Sequence, residues 1–211
     1  MPESLPEIIY NELNGIPVVD SNNSMYQVPF FKDDEYLDNI ESRVNFIKGC
    51  EKMVRTNDRY NKYIDYLKKT VGLNHCQVLS NITDNDAPIE MHHGPILTLY
   101  DYCDIAIEYF LLKKWKITTY RIADYVLDEH YRNHVQVVML SETAHEEVHD
   151  RSIFIHYNMA FGDLPAFIKK HREAINESYV EKIDRYIDKC TQYDSTDFGV
   201  FKLNDALYPK K

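Results

Sequence analysis

Four histidines stand in two short groups whose spacing could hold a metal ion. His145 and His149 lie four residues apart in Ser141–Asp150, a stretch that reads as a short helix. Residues at i and i+4 project from one helical face, so both imidazoles are near enough to share a cation. His92 and His93 end a strand-like run, Ile89-Glu90-Met91-His92-His93, where adjacent side chains point to opposite faces unless the strand is ending. Imidazole is a common metal ligand and titrates near neutrality, so metal binding and proton transfer are both open to this set.

The elements that must position these residues follow from periodicity. Pro2, Pro6, Pro17 and Pro29 break up residues 1–40 into an acidic, partly ordered arm, with a turn at Ser21-Asn22-Asn23-Ser24. From Glu35 to Lys69 apolar residues recur at helical spacing, which predicts two amphipathic helices interrupted near Gly49-Cys50 and ended by Val71-Gly72. Cys76–Ser80 reads as a short strand, Asp84-Asn85-Asp86 as a turn, and Ile89–His93 as a second strand stopped by Gly94-Pro95. Leu97–Lys113 predicts a buried helix, and Thr118-Thr119 cap another that runs to about His130. Val135–Leu140 is a β-branched, buried strand, and Ser141 or Thr143 starts the helix that carries His145 and His149. Phe167–Lys189 holds a further amphipathic helix. No internal repeat is visible.

A strand ending in His-His, a later apolar strand, and at once a helix with His145-x-x-x-His149 is the order in which the sequence resembles the HNH endonuclease family, built on a ββα-metal motif. In that family the first strand ends in a metal-binding Asp or His followed by a catalytic His. The second strand and helix commonly read Asn-x-x-x-Leu, a turn, then Cys-His with another His four residues on. Here Ile89–His93 and Gln136–Asp150 fit that register, about a third of the chain in two pieces. Gln136 stands where the family has Asn, and Ser141 and Ala144 replace its structural cysteines, so no accessory zinc is expected. About forty residues separate the halves, room for a helical pair inserted at about 97–130.

The resemblance implies an α+β fold, a predominantly helical domain over 41–190 around the ββα-metal motif, with the arm 1–40 before it and a tail 191–211. It implies one divalent ion (Mg, Mn, Ni or Zn) held by His92, His145 and His149, with His93 as general base and Gln136 orienting that base. Arg132 and Arg151 are candidate phosphate contacts. The implied reaction is phosphodiester hydrolysis in nucleic acid, DNA on family grounds. The Tyr-, Asn-, Asp- and Lys-rich composition looks like that of bacteriophage proteins.

Composition limits these readings. The net charge of −10, from 24 basic and 34 acidic residues, excludes a sequence-independent DNA coat protein. A nuclease of this charge needs local positive potential, which a bound cation supplies. Four scattered cysteines (Cys50, Cys76, Cys103, Cys190) form no CxxC pair and no disulfide framework, which predicts a cytoplasmic setting, host cytoplasm if phage-encoded. No run approaches the length of a membrane span, and the acidic start resembles no signal peptide.

Two other functions share the same residues. His145-Glu146-Glu147-Val148-His149 also spells HExxH, the zinc metalloprotease signature, with Glu146 as base and Glu173 or Glu177 as a downstream ligand. That reading leaves His92-His93 unexplained, and Ser152 and Ile155 break the extended form of the motif. Alternatively, a catalytically silent HNH-like frame could grip a basic host protein through its acidic surface. Thr118–Val126 faintly resembles a helix-turn-helix reader, though a buried amphipathic helix explains it as well. His75, His130, His134, His156 and His171 lie outside the frame.

Overall fold

The computed structural model describes residues 8–10, 17–19, 32, 34–193 and 198–209. Strands β1 (Ile8–Tyr10) and β2 (Pro17–Val19) pair antiparallel, with Ile9 opposite Val18. Most of the expected arm 1–40 otherwise lies outside the described residues. Helices α1 (Asp34–Asp38), α2 (Ile40–Arg55) and α3 (Asp58–Tyr66) follow, and α3 runs into a π-turn, Leu67–Val71. Gly72 closes it at φ 87°, a left-handed conformation that glycine adopts at little cost.

The break between the long helices falls at Thr56-Asn57, not at the expected Gly49-Cys50. The Asn57 side chain accepts from the Arg59 N–H at 2.9 Å and starts α3, while the Thr56 hydroxyl donates back to the Lys52 carbonyl. Gly49 stays inside α2, which buries Phe46, Ile47, Cys50 and Val54 along one stripe against the core.

Cys76–Ser80, expected as a strand, is a loop. Its apolar residues suit a strand, but Gln77 bonds to the sheet differently. The Gln77 N–H donates to the Met139 carbonyl (2.8 Å), and its side-chain oxygen accepts from the Met139 N–H (2.7 Å). One residue thus does the work of a ladder, and the chain is free to turn.

The central sheet is the antiparallel pair β3 (Ile89–His93) and β4 (Val137–Ser141), with His92 opposite Val138 and His93 opposite Val137. Between these strands lie α4 (Leu99–Leu112) and α5 (Thr119–Tyr131). Thr98 and Asp101 form a reciprocal capping box on α4, and Thr118 caps α5 by accepting from the Arg121 N–H. Helix α6 (Glu142–His149) leaves β4 directly, and α7 (Leu164–His171), α8 (Glu177–Tyr193) and α9 (Phe198–Leu207) complete an α+β fold in which helices predominate.

Helix α4 is buried on most of its circumference, including two carboxylates. Buried charge is tolerated only when paired. Asp104 takes Arg43 of α2 (2.6 Å) and the Tyr179 hydroxyl (2.6 Å), and Asp101 takes Lys182 of α8 (2.5 Å). The Tyr179 and Lys182 contacts fasten α8 to α4.

Candidate metal centre

Alternation along β3 sends Glu90 and His92 outward and Ile89, Met91 and His93 into the core. Helix α6 crosses the outward side, with Ala144 buried and Val148 packed against the core. Its other face turns His145 and His149 toward His92: ring centroids lie 4.9 and 5.2 Å from His92 and 4.7 Å from each other. One nitrogen from each of the three rings falls within 4.8 Å of the others. The Nε2 atoms of His145 and His149 are 3.1 Å apart.

The surroundings of these imidazoles suit a cation. His145 Nδ1–H donates to the Glu90 carboxylate (2.6 Å), which turns the Nε2 lone pair toward the cluster. Partial burial, with His145, His149 and Arg55 as neighbours, pushes the His92 imidazolium down to about 4, so the ring is neutral at physiological pH. Neutral imidazole is the form that binds metal. Gly94 keeps room for the ring, because a Cβ there would lie 3.0 Å from His92 Nε2.

His93 faces the opposite side and is 5% exposed. Its Nε2 meets Nε2 of fully buried His130 at 2.9 Å, and His130 Nδ1 lies 2.7 Å from the Val126 carbonyl. A carbonyl can only accept, so His130 Nδ1 carries the proton. Burial pushes His130 down to about 4 and His93 well below the usual imidazole range, so both rings are neutral. His130 Nε2 is therefore the acceptor and His93 Nε2–H the donor. That leaves His93 Nδ1 as a bare acceptor, buried and without a hydrogen-bond partner. Tyr60 stacks on His93 with ring centroids 6.0 Å apart.

Gln136, expected to orient His93, makes no side-chain hydrogen bond. Its backbone does the bracing instead: the N–H donates to the Tyr102 hydroxyl (2.9 Å) and the carbonyl accepts from the Gly94 N–H (3.2 Å). Arg132 caps the end of α5 and pairs with Glu129 at 2.8 Å, away from the triad's cavities. Arg151 follows α6 at φ 62° and lines a cleft that His92 also lines. Glu146 is exposed, and Glu173 lies 3.8 Å from Lys113 rather than beside the histidines. The outward side of α5 carries Asp124 and Asp128, both tied to Arg59, an acidic face unlike a DNA-reading helix.

The cavity of about 300 Å³ at the triad is lined by all four histidines together with Glu51, Arg55 and Thr98. Sequence reasoning passed over Glu90, Arg55 and His130. Glu90 was detectable, since i and i+2 on a strand share a face with His92. Arg55 and His130 come from distant helices and carry no local signal.

The site thus defines an α+β protein with a three-histidine cluster on a strand and the helix that follows its partner strand. The profile of the bacteriophage G278-like virion protein family matches residues 7–205, and the chain belongs to that family. No curated protein and no solved structure matches it. No helix among the described residues is long and apolar enough to cross a membrane.

Proposed function

We propose that this phage protein is a metal-dependent hydrolase of phosphodiester bonds in nucleic acid, working from an HNH-type ββα frame. The observation that carries the reading is the convergence of His92, His145 and His149 on a strand–strand–helix unit. Three nitrogen donors, one of them backed by a carboxylate, suit Zn²⁺ or Ni²⁺ better than Mg²⁺, which prefers oxygen. A divalent ion held by His92, His145 and His149 would supply positive charge to the scissile phosphate and to the departing 3′ oxygen.

The chain's own residues do the rest. The resemblance makes His93 the base that takes a proton from the attacking water, a role that requires its Nδ1, buried in this structure, to open to that water. The water oxygen attacks phosphorus, and the P–O3′ bond breaks with its electron pair going to the 3′ oxygen, which is protonated from solvent. His130 acts as a positioning residue: by accepting from His93 Nε2–H it holds the tautomer that leaves Nδ1 unprotonated. Arg151 contacts the phosphate beside the metal ligands, and DNA is the substrate taken from the HNH resemblance. The host cytoplasm is the proposed compartment, consistent with four free, buried cysteines.

A second reading has one observation in its favour. His93 Nδ1 is shielded from solvent, which suits a catalytically silent frame that binds a basic host protein through the acidic surface. Plasmid DNA incubated with the protein and Mg²⁺, Mn²⁺, Ni²⁺ or Zn²⁺ separates the two. Nicking that His93→Ala removes supports the hydrolase, and undiminished nicking by that variant sinks the mechanism. No nicking with any ion, together with a stable host-protein complex in a pull-down, establishes the binding protein. Casein cleavage abolished by Glu146→Ala would establish the protease.

A further inference from the structure

His92 lines two cavities. Besides the one at the triad, a cleft of about 400 Å³ runs from His92 past the Pro95-Ile96 turn, between the end of α6 and the flank of α8. Its apolar lining includes Ile96, Val148, Phe154 and Tyr186. Its polar lining is cationic: Arg151 from the end of α6, and Lys182, Arg185 and Lys189 from one face of α8. Spacings of three and four put those α8 residues on one side of the helix. No carboxylate is among the lining residues, in a chain whose acidic residues outnumber its basic ones 34 to 24. Positive charge has been gathered at this place against the average of the molecule.

The cations are not equally engaged. Lys182 is tied to Asp101, and Lys189 lies over the Phe154 ring at 4.3 Å. Arg185 gives only its Nε–H to the Glu181 carbonyl (3.2 Å), and Arg151 has no carboxylate partner among the described residues. Two guanidiniums therefore line the cleft alongside its aromatic and aliphatic side chains, and His92 lines it too.

We propose that this cleft binds a single strand of nucleic acid, one unpaired base on the floor formed with Phe154 and Tyr186 and its phosphates on Arg151 and Arg185. A cleft of this volume holds one nucleotide-sized ligand. Only an unpaired base offers a free π-face to an aromatic floor; the bases of a duplex are already stacked and paired. Delivery of the strand toward His92 rests on the phosphodiester reading above; the binding itself needs no metal.

The test is fluorescence anisotropy of labelled oligothymidylate in EDTA, with an oligo(dA)·oligo(dT) duplex and oligoglutamate as competitors. The single strand is expected to bind, and raised salt to weaken it. Arg185→Glu and Arg151→Glu should each lower affinity by about tenfold, whereas Lys169→Glu on α7 leaves it unchanged. Tyr186→Ala should cost about tenfold and Tyr186→Phe much less, which separates base stacking from the Tyr186 hydroxyl's bond to the Ile155 carbonyl. Charge reversals that leave affinity unchanged overturn the proposal. So does duplex competing as well as single strand, or oligoglutamate competing as well as oligothymidylate. Binding without metal-dependent cleavage breaks the hydrolase reading alone, and cleavage that survives the charge reversals with no single-strand binding breaks this one alone.

Discussion

On one side of β3 three imidazoles meet at the edge of solvent; on the other, two meet inside the core. His92 and His93 are adjacent in the chain, yet the pleat gives them different media. The outer group has Glu90 and Arg55 beside it and an open cavity in front. The inner pair has a backbone carbonyl at one end, Tyr60 alongside, and no carboxylate hydrogen-bonded to either ring. Residue type is the same throughout. Charge state, tautomer and access are set by what each ring touches: the outer three converge beside an open cavity, and the inner two share one buried hydrogen bond.

The sharpest way to break this contrast is to remove an outer ligand. His145→Ala should weaken Zn²⁺ binding by about a hundredfold, and Glu90→Gln by about tenfold, both read by isothermal titration calorimetry. His93→Ala should leave that affinity nearly unchanged. Equal losses from His93→Ala would merge the two groups into one.

Acid should act through the imidazoles that burial holds neutral. The pKa of His130, and that of buried His171 (on α7), is lowered by burial to about 4, below the unfolded value of about 6.5. A depressed folded pKa means the unfolded chain takes up protons that the folded chain refuses. The stabilisation is thus present above about pH 6.5 and lost as the pH falls toward about 4, on the order of 3 kcal/mol for each histidine. Urea midpoints across that window should fall, and His130→Leu should flatten the slope. A midpoint indifferent to pH would show that these rings are not held neutral.

His130→Leu also strands the His93 Nε2–H without an acceptor. Stability near neutral pH should drop by about 2 kcal/mol, measured by chemical denaturation, with Zn²⁺ affinity retained. The smallest expected effect is at Gly94→Ala. A Cβ there lies 3.0 Å from His92 Nε2, so the ring must shift by a few tenths of an ångström, weakening metal affinity by roughly threefold to tenfold. Wild-type affinity in that variant would mean that the His92 position is not critical.

The outer cluster was legible because its information is local. A four-residue helical spacing brings His145 and His149 together, a strand end presents His92, and a buried strand delivers the helix beside it. The inner partner was not legible, since no periodicity links His93 to a residue 37 positions away; only the packing of α5 under β3 makes His130 its acceptor. Gln136 was assigned that role from register, and the structure gives its backbone to the Gly94 turn and leaves its amide without a bond. The cleft lies between these cases. Lys182, Arg185 and Lys189 form a recognisable one-sided stripe, but that the stripe shares a cleft with His92 follows only from the packed fold. Local capping likewise decided the Thr56-Asn57 break, against the reasonable expectation that a glycine marks the interruption.

The outer edge of β4 has a consequence for life in a crowd. Val137 exchanges both of its backbone hydrogen bonds with Phe161, and Met139 gives both of its own to Gln77. An exposed strand edge is a template on which further copies can align and grow into aggregates. Here the donors and acceptors at those two positions are already taken, one pair by a crossing backbone and one by a single glutamine. Copies crowded together therefore find no free ladder at these positions, and the ribbon that aims the histidines stays two strands wide.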